Sequence, residues 1–181
     1  MEKEWNMIEV LRHSRHDWLN KLQLIKGNLD LNRIDRAKAI IDEIVIESQH
    51  ETKLSNLHIP KFASLMFRAN WENNIFHLEY EVLQESGMLH INELALTEWT
   101  KEFFTCLNGS IHALDENNLA ISIDSQKGGA RFFFDFSGII KQKARIEKFL
   151  AETCTIDLVI TVKEFSEHEL AFEVFMPVSN G

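Results

Sequence analysis

Histidine is the residue type with the widest chemical reach in this sequence, and eight are present, at positions 13, 16, 50, 58, 77, 90, 112 and 168. None forms an HxxxH pair or joins a Cys/His cluster, so zinc has no visible site. A GxSxG elbow and a GxxxxGK[ST] loop are both absent. Whatever chemistry a histidine does here must come from its immediate neighbours. His16 has the richest set. Asp17 follows it, Arg12 stands one helical turn before it, and Asn20 and Gln23 stand one and two turns after it. A neutral imidazole nitrogen is a good nucleophile near pH 7. Asp17 could hold the proton on the other ring nitrogen, and Arg12 could steady phosphate charge. Phosphoryl transfer passes through a loose transition state, so positioning and electrostatics suffice, and a metal ion could come from a partner.

These residues share a helix. From about residue 4 to 30, Ile8, Leu11, Trp18, Leu22, Ile25 and Leu29 recur at alternating threes and fours, with Arg15 at the missing seam position. At about 100° per residue, His16 lies about 130° from the centre of that stripe. Arg12, Asn20, Gln23 and Gly27 share its side. The same geometry leaves His13 exposed as well. Gly27 inside a helix costs about 1 kcal/mol relative to Ala, and close approach by another protein's helix would account for it.

Asp30-Leu31-Asn32-Arg33 reads as a short turn. A second helix follows from about Ile34 to Leu54, with a stripe of Ile34, Ala37, Ile41, Ile44 and Ser48 widened by Ile40 and Val45. So short a turn makes the two helices antiparallel neighbours. Two helices cannot bury stripes this wide against each other alone. A second copy would complete a four-helix bundle, as expected of a two-fold homodimer.

Pro60 marks a change of pattern, and the expected division is 1–58 for the hairpin and 59–181 for a second domain. Beyond Pro60, helices are expected at Lys61 to Trp71, Leu94 to Leu114 and Gln142 to Leu150. Strands are expected around Phe76–Val82, Leu119–Ile123, Phe132–Phe136, Ile156–Val162 and Glu169–Met176, with Gly128-Gly129 as a hairpin turn. Strands paired by hairpins, with helices on one face, make the second domain an α/β sandwich and the chain α+β.

Composition narrows the setting. Hydrophobic residues make up 45% of the chain, enough for a real core, yet no apolar run reaches the ~20 residues that span a bilayer. The charged N-terminus lacks a signal-peptide core, so a cytoplasmic protein without a membrane role is expected. Cys106 and Cys154 have no CxxC spacing and read as free buried thiols. Residues 1–57 hold nine Lys/Arg against ten Asp/Glu, whereas the rest holds ten against eighteen. So acidic a surface disfavours nucleic acid. Arg12, Arg15, Lys21 and Lys26 nonetheless give the first helix a local positive field suited to an acidic partner.

The stretch Leu11-Arg12-His13-Ser14-Arg15-His16-Asp17-Trp18-Leu19-Asn20-Lys21-Leu22-Gln23-Leu24-Ile25-Lys26-Gly27-Asn28-Leu29 resembles the phospho-acceptor box of the sporulation initiation phosphotransferase B family. The looser pattern, His-Asp, an aromatic, then Asn, is similar to that of citrate- and malate-type sensor histidine kinases. Lys53 to Leu57 and the layout of the remaining chain extend the resemblance over essentially all 181 residues. The resemblance implies a homodimeric phosphotransferase of a sporulation phosphorelay, with His16 rather than His13 as phospho-acceptor. It implies two partners, a single-domain response regulator as donor and a DNA-binding response regulator as acceptor. It further implies that the second domain resembles the ATP-binding domain of histidine kinases but binds no ATP. The position of the kinase magnesium-binding Asn falls on Gly109, with Asn108 one residue off. Asp135-Phe136-Ser137-Gly138 reads as a remnant DxGxG box, and no glycine lies between Gly138 and Gly181 to build a phosphate lid. No cofactor or metal is therefore expected on this chain. The competing readings are an active sensor-type histidine kinase, which requires ATP binding, and a non-catalytic dimeric scaffold.

Overall fold

The computed structural model describes residues 5–84, 89–126, 128–155 and 157–179. The chain divides into two compact units, Met1–Glu51 and Thr52–Gly181.

The first unit is a helical hairpin of α1 (Met7–Asp30) and the greater part of α2 (Ile34–Asn56). A capping box opens α1. The Asn6 side chain accepts from the Glu9 backbone N–H at 3.0 Å, and Glu9 reaches back to the Asn6 backbone N–H at 3.5 Å. The helix begins at Met7 rather than at residue 4, which lies outside the described residues. It ends in a Schellman motif. Asn32 is left-handed at φ 57°, its N–H donates to Leu29 at 2.9 Å, and Arg33 donates back to Asn28 at 2.8 Å. Asparagine tolerates that conformation better than most residues, which is how a three-residue turn joins two long helices.

The hairpin's inner face mixes polar residues with Val10, Ile25, Ala37, Ile40 and Ile44. Val10, Ser14, Asp17, Lys21 and Asn28 of α1 are half-buried, and Lys21 pairs with Glu47 of α2. Only Ala37 and Ile40 are fully buried there, and α1 contributes no fully buried residue. Much of the apolar stripe expected to be covered stands open in the single chain, although Ile25 and Ile44 are half-buried and Ala37 and Ile40 are buried. Ile8, Leu11, Trp18, Leu22 and Leu29 are all at least half exposed, and Ile34, Ile41 and Val45 nearly so.

The second unit is an open five-stranded sheet with helices on one face. Its elements are α3 (Pro60–Arg68), β1 (His77–Gln84), α4 (Glu93–Asn108), β2 (Asn118–Gln126), β3 (Gly129–Ser137), α5 (Lys143–Glu152), β4 (Val159–Phe165) and β5 (Glu169–Pro177). The strand order is β1-β2-β3-β5-β4. All neighbours are antiparallel except β1 and β2, which run parallel. Hairpins alone therefore do not build this sheet: α4 is the crossover that a parallel pair requires. The α4 helix also stops at Asn108, short of Leu114, and the chain turns at Gly109 and Ser110. The fourth strand starts at Val159, and Ile156 lies outside the described residues.

Alternation sends one side of each central strand into the core. Phe132, Phe134 and Phe136 of β3 and Leu170, Phe172 and Val174 of β5 are wholly buried. Trp99 and Phe103 of α4 meet them edge-on, with ring centroids 5.6 Å from Phe134 and 5.1 Å from Phe172. Phe62 of α3 meets Phe132 at 5.3 Å. Aromatic pairs in this geometry add about 0.5–1.5 kcal/mol beyond their burial. The last turn of α2 supplies Leu54, and Leu57 follows it, both fully buried in this same core. His58 then takes a left-handed conformation at φ 58°, and Pro60 opens α3 at a position where proline is favoured.

Candidate functional site

Three faces divide the circumference of α1. One carries the half-buried residues that meet α2, one carries the open apolar stripe, and the third carries His16. The His16 side chain is 71% exposed. Arg12, Asn20, Gln23 and Gly27 are exposed on the same side. A β-carbon built on Gly27 would meet no atom within 4 Å. This face is thus open along about four turns of helix.

The ring of His16 is held from one side only. Its Nδ1 lies 3.2 Å from the Asn20 amide and 3.6 Å from Asp17 Oδ1. Its Nε2 has no partner among the described residues. Asp17 itself is half-buried on the hairpin's inner face, 100° around the helix from His16, so it reaches the ring from below rather than sharing the open surface. Arg12 makes no ion pair among the described residues.

His13 stands apart from His16. Periodicity leaves both exposed, but the Trp5 ring lies against His13, with centroids 5.1 Å apart and planes tilted by 60°, and half-buries it. The structure brings together His16, Asn20 and Asp17 by contact, and Arg12, Gln23 and Gly27 by face. Leu19, outside the apolar stripe, also borders this face. It is about 60° from His16 on the side toward the stripe, and half exposed. Its spacing of three from His16 was the available signal, hidden because Leu19 belongs to no repeating apolar set.

The second unit treats the kinase-like positions differently. The Asn108 side chain accepts from the Ile75 N–H at 3.0 Å and donates to Asn74 Oδ1 at 2.7 Å, so its amide ties loops together. Arg145 of α5 lies against Gly109. Gly138 packs on Asn117, a buried amide that donates to the carbonyls of Ile75, His112 and Asp115 at 2.8–3.1 Å. Cys106 is buried, which pushes its thiol up, whereas Cys154 is exposed rather than buried. No helix among the described residues is long and apolar enough to cross a membrane.

Comparison with known proteins gives the following. Residues 1–57 match the family model described as the alpha-helical domain of SpoOB-type sensor kinases, and residues 58–177 match that of sporulation initiation phosphotransferase B, C-terminal. The sporulation initiation phosphotransferase B of Bacillus subtilis (strain 168) is 35% identical over 170 residues, covering 93% of this chain and 88% of the relative. Among solved structures, a bacterial phosphotransferase aligns at TM-score 0.38 and 12% identity, covering 95% of this chain and 98% of its own. The nucleotide-free catalytic domain of histidine kinase ThkA aligns at TM-score 0.45 and 10% identity, covering 70% and 95%.

Proposed function

Because the chain belongs to the sporulation initiation phosphotransferase B family, and is a phosphotransferase of a sporulation phosphorelay, we propose that His16 is its phosphoryl carrier. It takes the group from the aspartate of a single-domain response regulator and passes it to the aspartate of a second, DNA-binding response regulator. The observation that carries this reading is the exposure of His16 on the one face of α1 that is committed neither to α2 nor to the apolar stripe.

In the forward step, a ring nitrogen of His16 donates its lone pair to phosphorus. The P–O bond to the donor aspartate breaks, and its electron pair stays on that carboxylate. The ring gains positive charge, which the carboxylate of Asp17 offsets from 3.6 Å. Arg12, one turn away, lies where it can meet the phosphoryl oxygens. Transfer to the second regulator reverses these roles. Around His16 stand one carboxylate, one guanidinium and two amides, so the negative charge fixed there is small and is opposed by Arg12. The reading therefore places the magnesium ion on the regulator and no cofactor on this chain.

Two copies complete the scaffold. The open stripe of α1 and α2 is covered by the same stripe of a second chain, giving a four-helix bundle with His16 on its outside. The reading places this dimer in the cytoplasm with its regulators.

The test is incubation of wild type, His16→Ala and His13→Ala with a phosphorylated response regulator. Wild type and His13→Ala should take up label, and His16→Ala should take up none while keeping its fold and mass. Equal labelling of His16→Ala and wild type would sink the assignment. Labelling from ATP alone would favour the sensor-kinase reading, and absence of labelling in wild type would favour the scaffold.

A further inference from the structure

Helices cover one side of the five-stranded sheet, and the strand register gives the residues of the other. Across the middle of that side, Glu81, Ser122, Phe133 and Glu173 form one row, and Glu79, Ala120, Asp135 and Ala171 form the next. Asp124, Arg131 and Phe175 follow at one end, and His77, Asn118, Ser137 and Glu169 at the other. On this side β1, β2, β3 and β5 thus present six carboxylates against one guanidinium. That guanidinium, of Arg131, is already engaged by Glu173 at 3.7 Å and by the Phe175 ring at 5.9 Å. Asp135 is exposed between two alanines and has no ion-pair partner among the described residues.

The acidic character continues past the strand ends. Asn118, Ser137 and Glu169 wall an open hollow of about 480 Å³, to which Asp115, Glu116 and His168 also contribute. Like charges on neighbouring strands repel, so the face gains from any cation laid over it. Phe133 and Phe175 are only half-buried, which leaves apolar surface among the charges. Such a face fits a basic protein surface. Lysine and arginine stems would lie on Phe133 and the two alanines while their charges meet the carboxylates.

We propose that this face docks the DNA-binding response regulator by the same basic surface which that regulator applies to DNA. This rests on the reading of the chain as a carrier between two regulators. A protein that binds DNA must present Lys and Arg to neutralise phosphates. The single-domain donor has no such requirement, so charge on this face separates acceptor from donor. Two residues per row and five strands make the face ~20 Å by ~19 Å. That is well below the ~800 Å² per partner of a stable interface, so the contact steers encounter rather than holding a lasting complex. DNA and this chain then compete for one surface, and a regulator already on DNA is not drawn to this face.

The test loads the full-length chain with phosphoramidate, a small phosphoryl donor that needs no docking surface. Single-turnover transfer to the DNA-binding regulator is then followed, with back-transfer to the single-domain regulator in parallel. Glu79→Lys combined with Asp135→Lys reverses two exposed charges. At ~50 mM salt and limiting regulator it should slow transfer to the DNA-binding regulator by roughly 10-fold, and leave the single-domain regulator unaffected. At ~500 mM salt variant and wild type should converge. A duplex carrying the regulator's binding site should slow wild type toward the variant's rate. Glu79→Gln with Asp135→Asn should fall between the two, and carries the test should the reversed protein melt below wild type. Transfer to the DNA-binding regulator at the wild-type rate by the charge variants would overturn the proposal. So would equal slowing toward both regulators, no effect of the duplex, or a fall in mass on charge reversal, which would make the face a contact between copies. Absence of phosphorus on His16 of wild type would instead overturn the carrier reading.

Discussion

Arg145, in the first turn of α5, rests its guanidinium on Gly109 at the C-terminal end of α4, with Nη1 donating to the Gly109 carbonyl at 3.4 Å. A cation at a helix C-terminus complements the backbone dipole, typically by 0.3–1 kcal/mol. Gly109 is also where the kinase resemblance would place a magnesium-binding asparagine. A side chain there would collide with the guanidinium, which is the free end of a flexible residue and can swing away. Gly109→Asn should therefore lower unfolding stability by no more than about 1 kcal/mol and still show no melting shift with ATP and magnesium. A variant that melts higher with millimolar ATP would mean that this single residue is all the site lacks.

Gly129 gives the opposite case. It sits at φ +151°, paired with Pro177 of β5, and a β-carbon would run into the Met176 carbonyl. Backbone cannot swing aside as an arginine does. Gly129→Ala should destabilise the second unit by about 2 kcal/mol or more, through both close approach and backbone strain. Gly128→Ala, whose β-carbon meets nothing within 4 Å, should be tolerated. Urea denaturation of the pair, followed by far-UV dichroism, reads the contrast directly.

How much of this was legible in the sequence depends on whether a residue's signal was periodic or pairwise. The stripe through Leu11, Trp18 and Leu22 repeats, so the helix, its apolar face and the side carrying His16 could be placed by counting. The inner face could not. Its residues include Ser14, Asp17, Lys21 and Asn28, polar types that read as solvated until Lys21 finds Glu47 across the hairpin. The covering of His13 by Trp5 and the contact of Asn20 with His16 are likewise pairwise events of side-chain direction. In the second unit, the alternation in β2, β3 and β5 gave their core faces. The parallel pairing of β1 with β2 was implicit in the helix between them, since only a crossover of that kind returns the chain in the same direction. The end of α4 was misplaced because Ile111 and Leu114 continue an apolar pattern past the turn at Gly109. Ile111 is in fact buried in a bridge to Ile140, and Leu114 is almost wholly exposed.

The proposed dimer predicts which substitutions separate assembly from folding. Leu22 and Ile41 are exposed in the single chain, so neither supports the hairpin itself. Leu22→Glu or Ile41→Glu should leave the monomer folded, yet bury an unpaired charge in the bundle and cost several kcal/mol of association. Light scattering at micromolar concentration should give wild type about twice the 21.1 kDa chain mass and the variants about one chain mass. A wild type that stays monomeric at that concentration would reject the constitutive bundle. Leu19→Glu, on the His16 side, should leave the mass unchanged.

Gly27 separates docking from stability most sharply. It lies on the His16 face three turns toward the C-terminus, where an added β-carbon meets nothing in the chain itself. Replacing it therefore has no steric cost in the free protein, and helix propensity should raise stability by up to about 1 kcal/mol. In the proposed transfer a response regulator brings its aspartate close to His16, so its nearest helix would run close along this surface. Leucine at position 27 would occupy that space. Gly27→Leu should melt higher than wild type and transfer at least 10-fold more slowly from a phosphorylated regulator, while its labelling by phosphoramidate stays at the wild-type rate. The last comparison matters because it separates exclusion of the partner from damage to the imidazole. A variant that melts higher and transfers from the regulator at the wild-type rate would place Gly27 outside the dock and confine the regulator's footprint to Arg12, Leu19, Asn20 and Gln23.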